Sequence, residues 1–483
     1  MKISWKTVLP LIVWLVIVVI PTPAGLQPNA WAFFAVFAAV ITGMIFDSMP
    51  PGALGIIGVA FTVAMRYVDS NISNAIAAGL KGFSDPTVWL IFGAFTFAIG
   101  YSKSGLGRRI ALFFVKLLGG RTLGLGYAIE LADLVLAPGT PSNTARSGGT
   151  IFPIINNIPG LYGSAPGETA RKIGSYIMWT AFAATAVTSS MFITSLAPNG
   201  VAVALVAKNT QLNVSWLQWF LGFLPIAIVL LVLVPLLTYI LYPPEIKKSP
   251  EVSEWGGKEL AKMGPISAKE ITMAVLILFA MFLWITGDSD YVALPFLGAH
   301  YINATAVVLV VIALMLVTKV VDFQDIISNK AAWEVFLYFA TLLTLAQGLS
   351  DVGFIKWFAD IVSKPLKGLD PIVIMVVLVA LFFWIHYFFT SLTAHTNVVL
   401  PVVLVAGVSL LPASMLMAFA LLCVYSLGMM GVISPYATGP APIYYGSGYI
   451  SRSDFWKLGL IFGLIFFFAL LLIGIPYLTA VKL

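Results

Sequence analysis

Long apolar runs recur from one end of the chain to the other, and they constrain the fold more than any other feature. Of the 483 residues, 60% are hydrophobic and only 10% are charged, far less charge than a soluble domain carries. A helix that spans a bilayer needs about 20 mainly apolar residues. The longest polar interval, 242–269, leaves no room for a soluble domain. The sequence therefore predicts an all-α polytopic membrane protein, multi-pass in a bacterial inner membrane.

The lengths of the runs predict about eleven transmembrane helices plus two re-entrant hairpins. Candidate full spans are 8–20, 30–46, 52–67, 216–241, 271–285, 304–317 and 457–480. The pieces between 87 and 136 are short and have charged or glycine-rich tips, as hairpins do. The interval 245–269 holds five lysines and four glutamates, and it is predicted to be a cytoplasmic loop.

The stretch Ala137–Gly149 interrupts this apolar pattern with two prolines, three glycines and a cluster of hydroxyl residues. Prolines and glycines at this density break a helix. At membrane depth, non-helical backbone is tolerated only where protein buries it or where it lines a watery cavity. Broken helices of this kind form the binding sites of secondary transporters. A surface loop between two ordinary helices is the alternative.

The second half of the chain repeats the order of these features. The segment Thr390–Asn397, with Pro401 after it, parallels 138–144 with Pro153 after it. A later break at Ser434–Pro442 parallels the break at Ala197–Gly200. Paired interrupted segments predict an inverted repeat, with the transport site at the interface between the two repeats.

Two motifs resemble those of the divalent anion/sodium symporter superfamily. They are Pro141–Gly149, with its Ser-Asn-Thr triplet, and Ser434–Gly448. Within the superfamily they are most similar to the citrate/succinate, tartrate/succinate and 2-oxoglutarate/malate exchangers. The resemblance covers nearly the whole chain. It implies di- or tricarboxylate substrates, a homodimer, and an elevator motion of a transport domain against a scaffold.

The resemblance also implies a division of the chain. It consists of N-terminal scaffold spans 1–86, a first transport half 87–242 with the Ser-Asn-Thr motif, the cytoplasmic loop 243–269, scaffold spans 270–331 and a second transport half 332–483.

Substrate-binding residues carry over by position. The first triplet is intact as Ser142, Asn143 and Thr144, whereas the second falls on Ala394, His395 and Thr396, of which only Thr396 keeps the pattern. The family uses the asparagine replaced by His395 as a sodium ligand. A family serine ligand is replaced by Pro138, although Thr390 matches another ligand position. These departures predict transport without a sodium requirement and with no other cofactor.

Positive charge must then come from the protein when a carboxylate leaves water. We expect Arg146 and His395 to supply it, because a guanidinium fork suits a carboxylate. The alternatives are an Arg146 that pairs with backbone carbonyls and a neutral, hydrogen-bonded His395. Asn199 and Thr438, at the later helix breaks, are predicted to face the substrate.

Two acidic residues, Glu130 and Asp133, lie three positions apart on a presumed hairpin helix. They are interpreted as a structural pair or as facing a water-filled crevice, with a place near the site as the other possibility.

Other classes of function fit the sequence less well. An intramembrane enzyme would need a catalytic dyad or metal cluster, which the spacing of His and acidic residues does not provide, and a channel would need rings of like charge. The net charge of +6 fits basic loops rather than nucleic-acid binding, and the single cysteine, Cys423, excludes a disulfide framework. The prediction is a sodium-independent dicarboxylate exchanger, with a sodium-coupled dicarboxylate symporter as the alternative.

Overall fold

The computed structural model describes residues 5–46, 48–288, 292, 294, 297–298 and 300–481. Within these residues the regular elements are all helical, which confirms the predicted all-α class. The helices are α1 Trp5–Val19, α2 Pro28–Ile45, α3 Pro51–Ala64, α4 Ile72–Leu80, α5 Pro86–Ser104, α6 Leu106–Leu118, α7 Thr122–Leu136, α8 Phe152–Ile155, α9 Gly174–Met191, α10 Ala197–Thr210, α11 Trp216–Leu241, α12 Pro250–Lys262, α13 Ala268–Gly287, α14 Ala304–Val317, α15 Phe323–Ser328, α16 Lys330–Asp351, α17 Phe354–Ser363, α18 Pro371–Trp384, α19 Leu392–Leu410, α20 Ala413–Met429, α21 Ala441–Gly446, α22 Arg452–Ala469 and α23 Ile475–Ala480.

Nine helical segments in the described part of the chain are long and apolar enough to cross a membrane. Several present large apolar side chains to the outside: on α11, Ile228, Val232 and Ile240 are each more than half exposed. An apolar surface of this extent would be an aggregation liability in water, but lipid tails solvate it. The chain is therefore a multi-pass membrane protein, as predicted.

The helices divide into two compact units. Unit 1 comprises residues 1–92, 200–213 and 329–420, and unit 2 comprises 93–199, 214–328 and 421–483. The predicted division into five segments begins at residue 1 and ends at residue 483, both outside the described residues, and it stays a prediction.

Unit 1 has a core in which α2, α3 and α16 pack closely. Phe33, Phe37 and Leu345 lie in one buried apolar cluster. Gly55 of α3 is required at the crossing with α16, because a Cβ atom there would lie 1.9 Å from Oγ1 of Thr341. The small residue lets the two backbones approach, as is common between membrane helices.

Unit 2 is built around α9, every residue of which is buried. A helix that is enclosed on all sides has no polar face to show to solvent. Trp179 packs edge-to-face against Phe455 and Phe462 of α22, with ring centroids 5.2 and 5.6 Å apart. The four hydroxyl residues between positions 185 and 190 of α9 therefore need partners inside the protein.

Two of the sharp turns between consecutive helices, one in each unit, contain a left-handed glycine. Gly105 (φ 81°) joins α5 to α6 in unit 2, and Gly353 (φ 83°) lies before α17 in unit 1. Glycine adopts this conformation without the steric cost that other residues meet. Each turn follows a long apolar helix, α5 or α16, and precedes a shorter one, α6 or α17.

Candidate functional site

The Ala137–Gly149 stretch breaks the helix as its prolines and glycines predict. After α7, Ala137–Gly139 forms one tight 3₁₀ turn, and the next helical residues after Pro141 and Ser142 belong to a π-helix, Thr144–Ile151. π-helices are rare and are often found at functional sites, although a second one, Leu470–Gly474, follows α22. The first N–H groups of any helix have no partner within that helix, so this start offers donors to an anion.

The polar side chains at this helix start differ in how many of their hydrogen-bonding groups are satisfied within the protein. Asn143 is buried, and its Nδ2 donates to Oγ1 of Thr438 at 3.0 Å. Thr144 is exposed, and no described residue hydrogen-bonds its hydroxyl. The half-buried Ser142 accepts a bond from the N–H of Ala145 at 3.1 Å, which leaves its own hydrogen available. Two hydroxyl donors therefore flank a fixed Asn143–Thr438 pair.

Thr438 comes from the predicted break Ser434–Pro442, an irregular segment of unit 2 between α20 and α21. Its neighbour Gly439 approaches the first triplet so closely that a Cβ atom there would lie 1.9 Å from Oγ1 of Thr144. The motifs Pro141–Gly149 and Ser434–Gly448 are therefore in contact. Thr438, which was predicted to face the substrate, lies beside the first triplet, and its contact with a substrate stays a prediction.

Arg146 lies inward from the triplet and is fully buried. Its Nε donates to Oδ2 of Asp133 at 3.2 Å, and its Nη1 donates to the carbonyls of Thr140 and Ser195 at 2.8 and 2.7 Å. Its Nη2 donates to hydroxyl groups of α9, those of Thr188 (3.2 Å), Ser189 (3.1 Å) and Thr185 (3.5 Å). A guanidinium has five N–H donors, and these contacts occupy all of them.

This arrangement fixes the positive charge close to the triplet without a free donor for a ligand. Nη1 holds two backbone carbonyls, that of Thr140 just before Pro141 and that of Ser195 two residues before α10. Pro141 itself accepts a backbone bond from Ala197 at 2.7 Å. Arg146 therefore joins the Ser-Asn-Thr segment to the next break in unit 2.

Asp133 is the counter-charge in this network. It is 1% exposed, and its Oδ2 accepts from Thr188 as well as from Arg146. Glu130, one helical turn earlier, is also 1% exposed. The sequence interpretation paired the two carboxylates, whereas the structure pairs Asp133 with an arginine 13 residues away, a partner that a helical spacing cannot indicate.

Asn199 lies in the first turn of α10 and is completely buried. Its Nδ2 donates to the carbonyls of Ser189 and Phe192 at 2.8 and 3.0 Å. The chain breaks at 192–196 rather than at 197–200, because a proline at the second position of a helix, here Pro198, does not interrupt it. Asn199 holds the end of α9, next to the hydroxyl groups that Arg146 contacts.

The second triplet lies in unit 1, in the first turn of α19. Ala394, His395 and Thr396 are all buried, and Oγ1 of Thr396 donates to the carbonyl of Leu392 at 2.7 Å. The His395 ring is enclosed by Phe382, His386 and Phe389, with ring centroids 4.6, 5.0 and 5.0 Å away. Neither of its nitrogens makes a hydrogen bond of ordinary geometry with a described residue.

Unit 2 also contains a polar cavity of about 440 Å³ beside the end of the π-helix. Gly149 and Thr150 line it together with Tyr101 and Arg108. Its volume is in the range of small-molecule sites. Arg108 is engaged there by Glu259, with Nη2 3.0 Å from the carboxylate.

Sequence reasoning missed the hydroxyl groups of α9 that hold Arg146. A signal was present, since Thr185, Thr188, Ser189 and Ser190 stand together in an otherwise apolar run, and buried hydroxyl groups need partners. Within the described residues, no group of three or more His, Cys, Asp or Glu side chains could hold a metal ion.

Nine candidate spans in the described part of the chain, a helix broken at a hydroxyl-rich motif and a buried charged network are typical of a multi-pass secondary transporter. The chain belongs to the sodium:sulfate symporter transmembrane region family, whose model matches residues 1–482. It is 46% identical over 488 residues to a citrate/succinate antiporter of Escherichia coli, covering 98% of both chains. It is 42% identical over 496 residues to an L-tartrate/succinate antiporter of the same organism, covering 99% of both. These relatives are transporters rather than enzymes, and the family resemblance and the inner-membrane location are confirmed.

Among solved structures, the chain is similar in fold to the YdaH transporter of Alcanivorax borkumensis. The TM-score is 0.56 at 12% sequence identity, over 88% of this chain and 98% of that one. At this identity the likeness concerns the fold alone.

Proposed function

We propose that this protein exchanges di- and tricarboxylates across the bacterial inner membrane, without a requirement for sodium. The observation that carries the proposal is the Ser142–Thr144 helix start, which has free hydroxyl donors beside a buried arginine. The antiporter relatives, named for citrate, tartrate and succinate, support the same substrate class. A carboxylate that leaves water needs donors and positive potential, and this segment provides both.

Ser142 and Thr144 bind the carboxylate through their hydroxyl groups, and the Asn143–Thr438 pair fixes their position. Arg146 contributes by holding the segment in place, because its own donors are all occupied and Asp133 offsets its charge. Asn199 holds the end of α9, whose hydroxyl groups contact Arg146. This refines the predicted role of Arg146 from a direct ligand to a positioning residue.

The second triplet keeps its predicted role as a further substrate-binding element. Thr396 and His395 are the residues to test there, with His395 as the predicted replacement for a sodium ion. Burial of the ring among three aromatic neighbours disfavours its positively charged form, which argues against this replacement and makes His395 the first residue of the triplet to test. Pro138 supports independence from sodium, because it has no side-chain oxygen to offer.

The finer architecture is part of the same proposal. It includes about eleven spans with two re-entrant hairpins, an inverted repeat, scaffold and transport domains, a homodimer and an elevator motion. The paired glycine turns at Gly105 and Gly353 support the repeat. The other features rest on the family resemblance.

The function is tested by uptake of labelled succinate into proteoliposomes. The vesicles are loaded with unlabelled dicarboxylate or left empty, each with sodium or with potassium only. We expect uptake that requires internal dicarboxylate and is the same in both salts. Uptake into empty vesicles, driven by a sodium gradient, would instead establish the sodium-coupled symporter.

The site is tested in the same assay. Thr438→Ala leaves the buried Asn143 amide without its partner, which costs about 1–3 kcal/mol, so we expect exchange to fall about tenfold or more. Thr438→Ser keeps the hydroxyl group and is the matched control, with near-normal exchange. Equal exchange by the two variants would show that the Asn143–Thr438 hydrogen bond is not part of the transport site.

A further inference from the structure

Glu130 is a buried carboxyl group that the transport site does not use. It lies on α7 and is 1% exposed, and its Oε1 has no hydrogen-bond partner among the described residues. Oδ1 of Asp133 also has no partner there. Residues three apart on a helix are neighbours on one face. Two acidic side chains with unsatisfied oxygens therefore stand together inside unit 2.

The charges in this cluster do not balance if both carboxyl groups are ionised. Arg146 is the cation that contacts it, and its five donors are already used by Asp133, two carbonyls and the α9 hydroxyl groups. An ionised carboxylate without a partner is very costly in a buried site. One negative charge must therefore be neutralised by something that the protein side chains do not supply.

A proton fits this requirement better than a metal ion. Cations such as calcium need six or more oxygen ligands, whereas two unpartnered carboxylate oxygens are present here. The described residues contain no metal-binding group of three acidic, His or Cys side chains. A proton needs only one oxygen and no cavity.

The proton belongs on Glu130 rather than on Asp133. Asp133 accepts a charge-assisted bond from Arg146 and a bond from Thr188, both of which stabilise its ionised form. The other titratable groups that face Glu130 are Tyr127 on its own helix and Tyr176 on α9. Both tyrosine hydroxyl groups donate to carbonyls of α11 instead, and Tyr239 of α11 lies beyond Tyr176.

We propose that Glu130 is a proton-binding site of this transporter, neutral while Asp133 is ionised, and that release of its proton slows exchange. A second negative charge one turn from Asp133 would draw the guanidinium of Arg146 away from the carbonyls of Thr140 and Ser195. Those bonds hold the Ser-Asn-Thr segment. The effect on exchange rests on the proposed function, whereas the proton site does not.

The proton site is tested by infrared spectroscopy of the full-length protein in liposomes at about pH 6. We expect a C=O stretch of a protonated carboxylic acid in the wild type and its loss in Glu130→Gln. Glu254→Gln, at a carboxylate of α12 that is exposed, is the matched control and should keep the band. Identical C=O regions in wild type and Glu130→Gln would overturn the proposal.

Thermal unfolding gives a second measurement that does not depend on spectral assignment. A glutamine has the shape of a neutral glutamic acid, so Glu130→Gln should melt at or above the wild-type temperature. A variant that melts far lower, or does not fold, would show that the ionised carboxylate is needed and would also overturn the proposal.

The link to transport is tested by the pH profile of exchange. We expect wild-type exchange to fall on the alkaline side by up to about tenfold for each pH unit above proton release, and the Glu130→Gln profile to stay flat there. Identical pH profiles of the wild type and Glu130→Gln would show that the protonation of Glu130 does not control exchange. Absence of exchange in the wild type at every pH would count against the proposed function and would leave the infrared result to stand.

Discussion

At the scale of single residues, Arg146 is the most constrained side chain of the site. Its planar fork reaches a carboxylate, two carbonyls and the hydroxyl groups of α9 at once. A lysine has three donors on a single nitrogen and cannot reproduce this set. Arg146 therefore holds three segments together. These contacts explain why a charged side chain is buried here.

We expect Arg146→Gln to lower the free energy of unfolding by about 3–5 kcal/mol, because it leaves Asp133 buried without a cation. Unfolding of the purified protein in detergent measures this. Arg108→Gln removes an arginine that is 58% exposed in its ion pair and should cost less than about 1 kcal/mol. Equal losses would contradict the assignment, and Asp133→Asn added to Arg146→Gln should recover part of the stability.

The sequence alone predicted that Arg146 is functional, since an ionisable residue at membrane depth is a functional hypothesis by default. It could not predict the partners, because Asp133 and Ser195 are separated from Arg146 by 13 and 49 positions. Contacts at such separations depend on how the helices pack. Thr144 was predicted to bind substrate from the family resemblance, whereas its unpartnered hydroxyl group could be seen only in the structure.

At the scale of elements, the presence of the helix breaks was predictable, but the residues at which each break begins and ends were less so. Pro138 and Pro141 stop α7 as expected, whereas Pro198 starts α10 rather than ending α9. A proline marks a helix boundary in the sequence. Whether it ends one helix or begins the next depends on whether an N–H at that position would have made a helical hydrogen bond. The π-helix Thr144–Ile151 carries no signature in the sequence.

The loop 245–269 contains α12, which packs on α6 through a glycine. A Cβ atom on Gly256 would lie 3.0 Å from Cγ1 of Val115 and 3.1 Å from the backbone N of Lys116. Gly256→Val should therefore push α12 off α6 and cost about 1–3 kcal/mol. Limited trypsin digestion at the lysines of the loop would report the release.

Gly257→Val is the matched control for this experiment. A Cβ atom there would meet only the flexible Lys116 side chain, at 3.8 Å or more. The two variants share the helix, the residue change and the loss of backbone freedom. Equal digestion of both would mean that α12 does not depend on this contact.

At the scale of the whole molecule, the membrane class follows from the sequence with few assumptions, because lipid leaves helices as the only solution for long apolar runs. The number of spans is harder to predict. Short apolar pieces such as α3 and α14 have 14 residues each, so length alone does not separate a full span from a partial one.

Acid should destabilise the protein through carboxylates that lie outside the spans. Lys262 contacts Glu259 at 2.6 Å, and Lys103 contacts Asp325 at 2.6 Å. Hydrogen bonds from these lysines lower the pKa of Glu259 and of Asp325. Each pair then stabilises the folded state above the ordinary pKa of the carboxylate, about 4, and this contribution is lost as the pH falls through the lowered value.

Melting temperatures between about pH 7 and pH 3 test this dependence. The double variant Glu259→Gln/Asp325→Asn should lose less stability on acidification than the wild type, because neither group binds a proton on unfolding. Parallel curves for the two proteins would show that acid acts elsewhere.

The π-helix Thr144–Ile151 makes the length of this segment as important as its composition. A π turn holds one residue more than an α turn, so it behaves as an insertion that the fold has absorbed. Deleting one residue between 144 and 151 would let the segment rewind as an ordinary helix. The residues before it, Asn143 included, would keep their direction, because an absorbed insertion leaves the register of the flanking helix unchanged. Residues inside the segment would turn instead, since each residue of an α-helix advances by about 100° around the axis and each residue of a π-helix by less, so Arg146 would no longer point at all of its partners. A one-residue deletion would therefore act on this site as a substitution of Arg146 does.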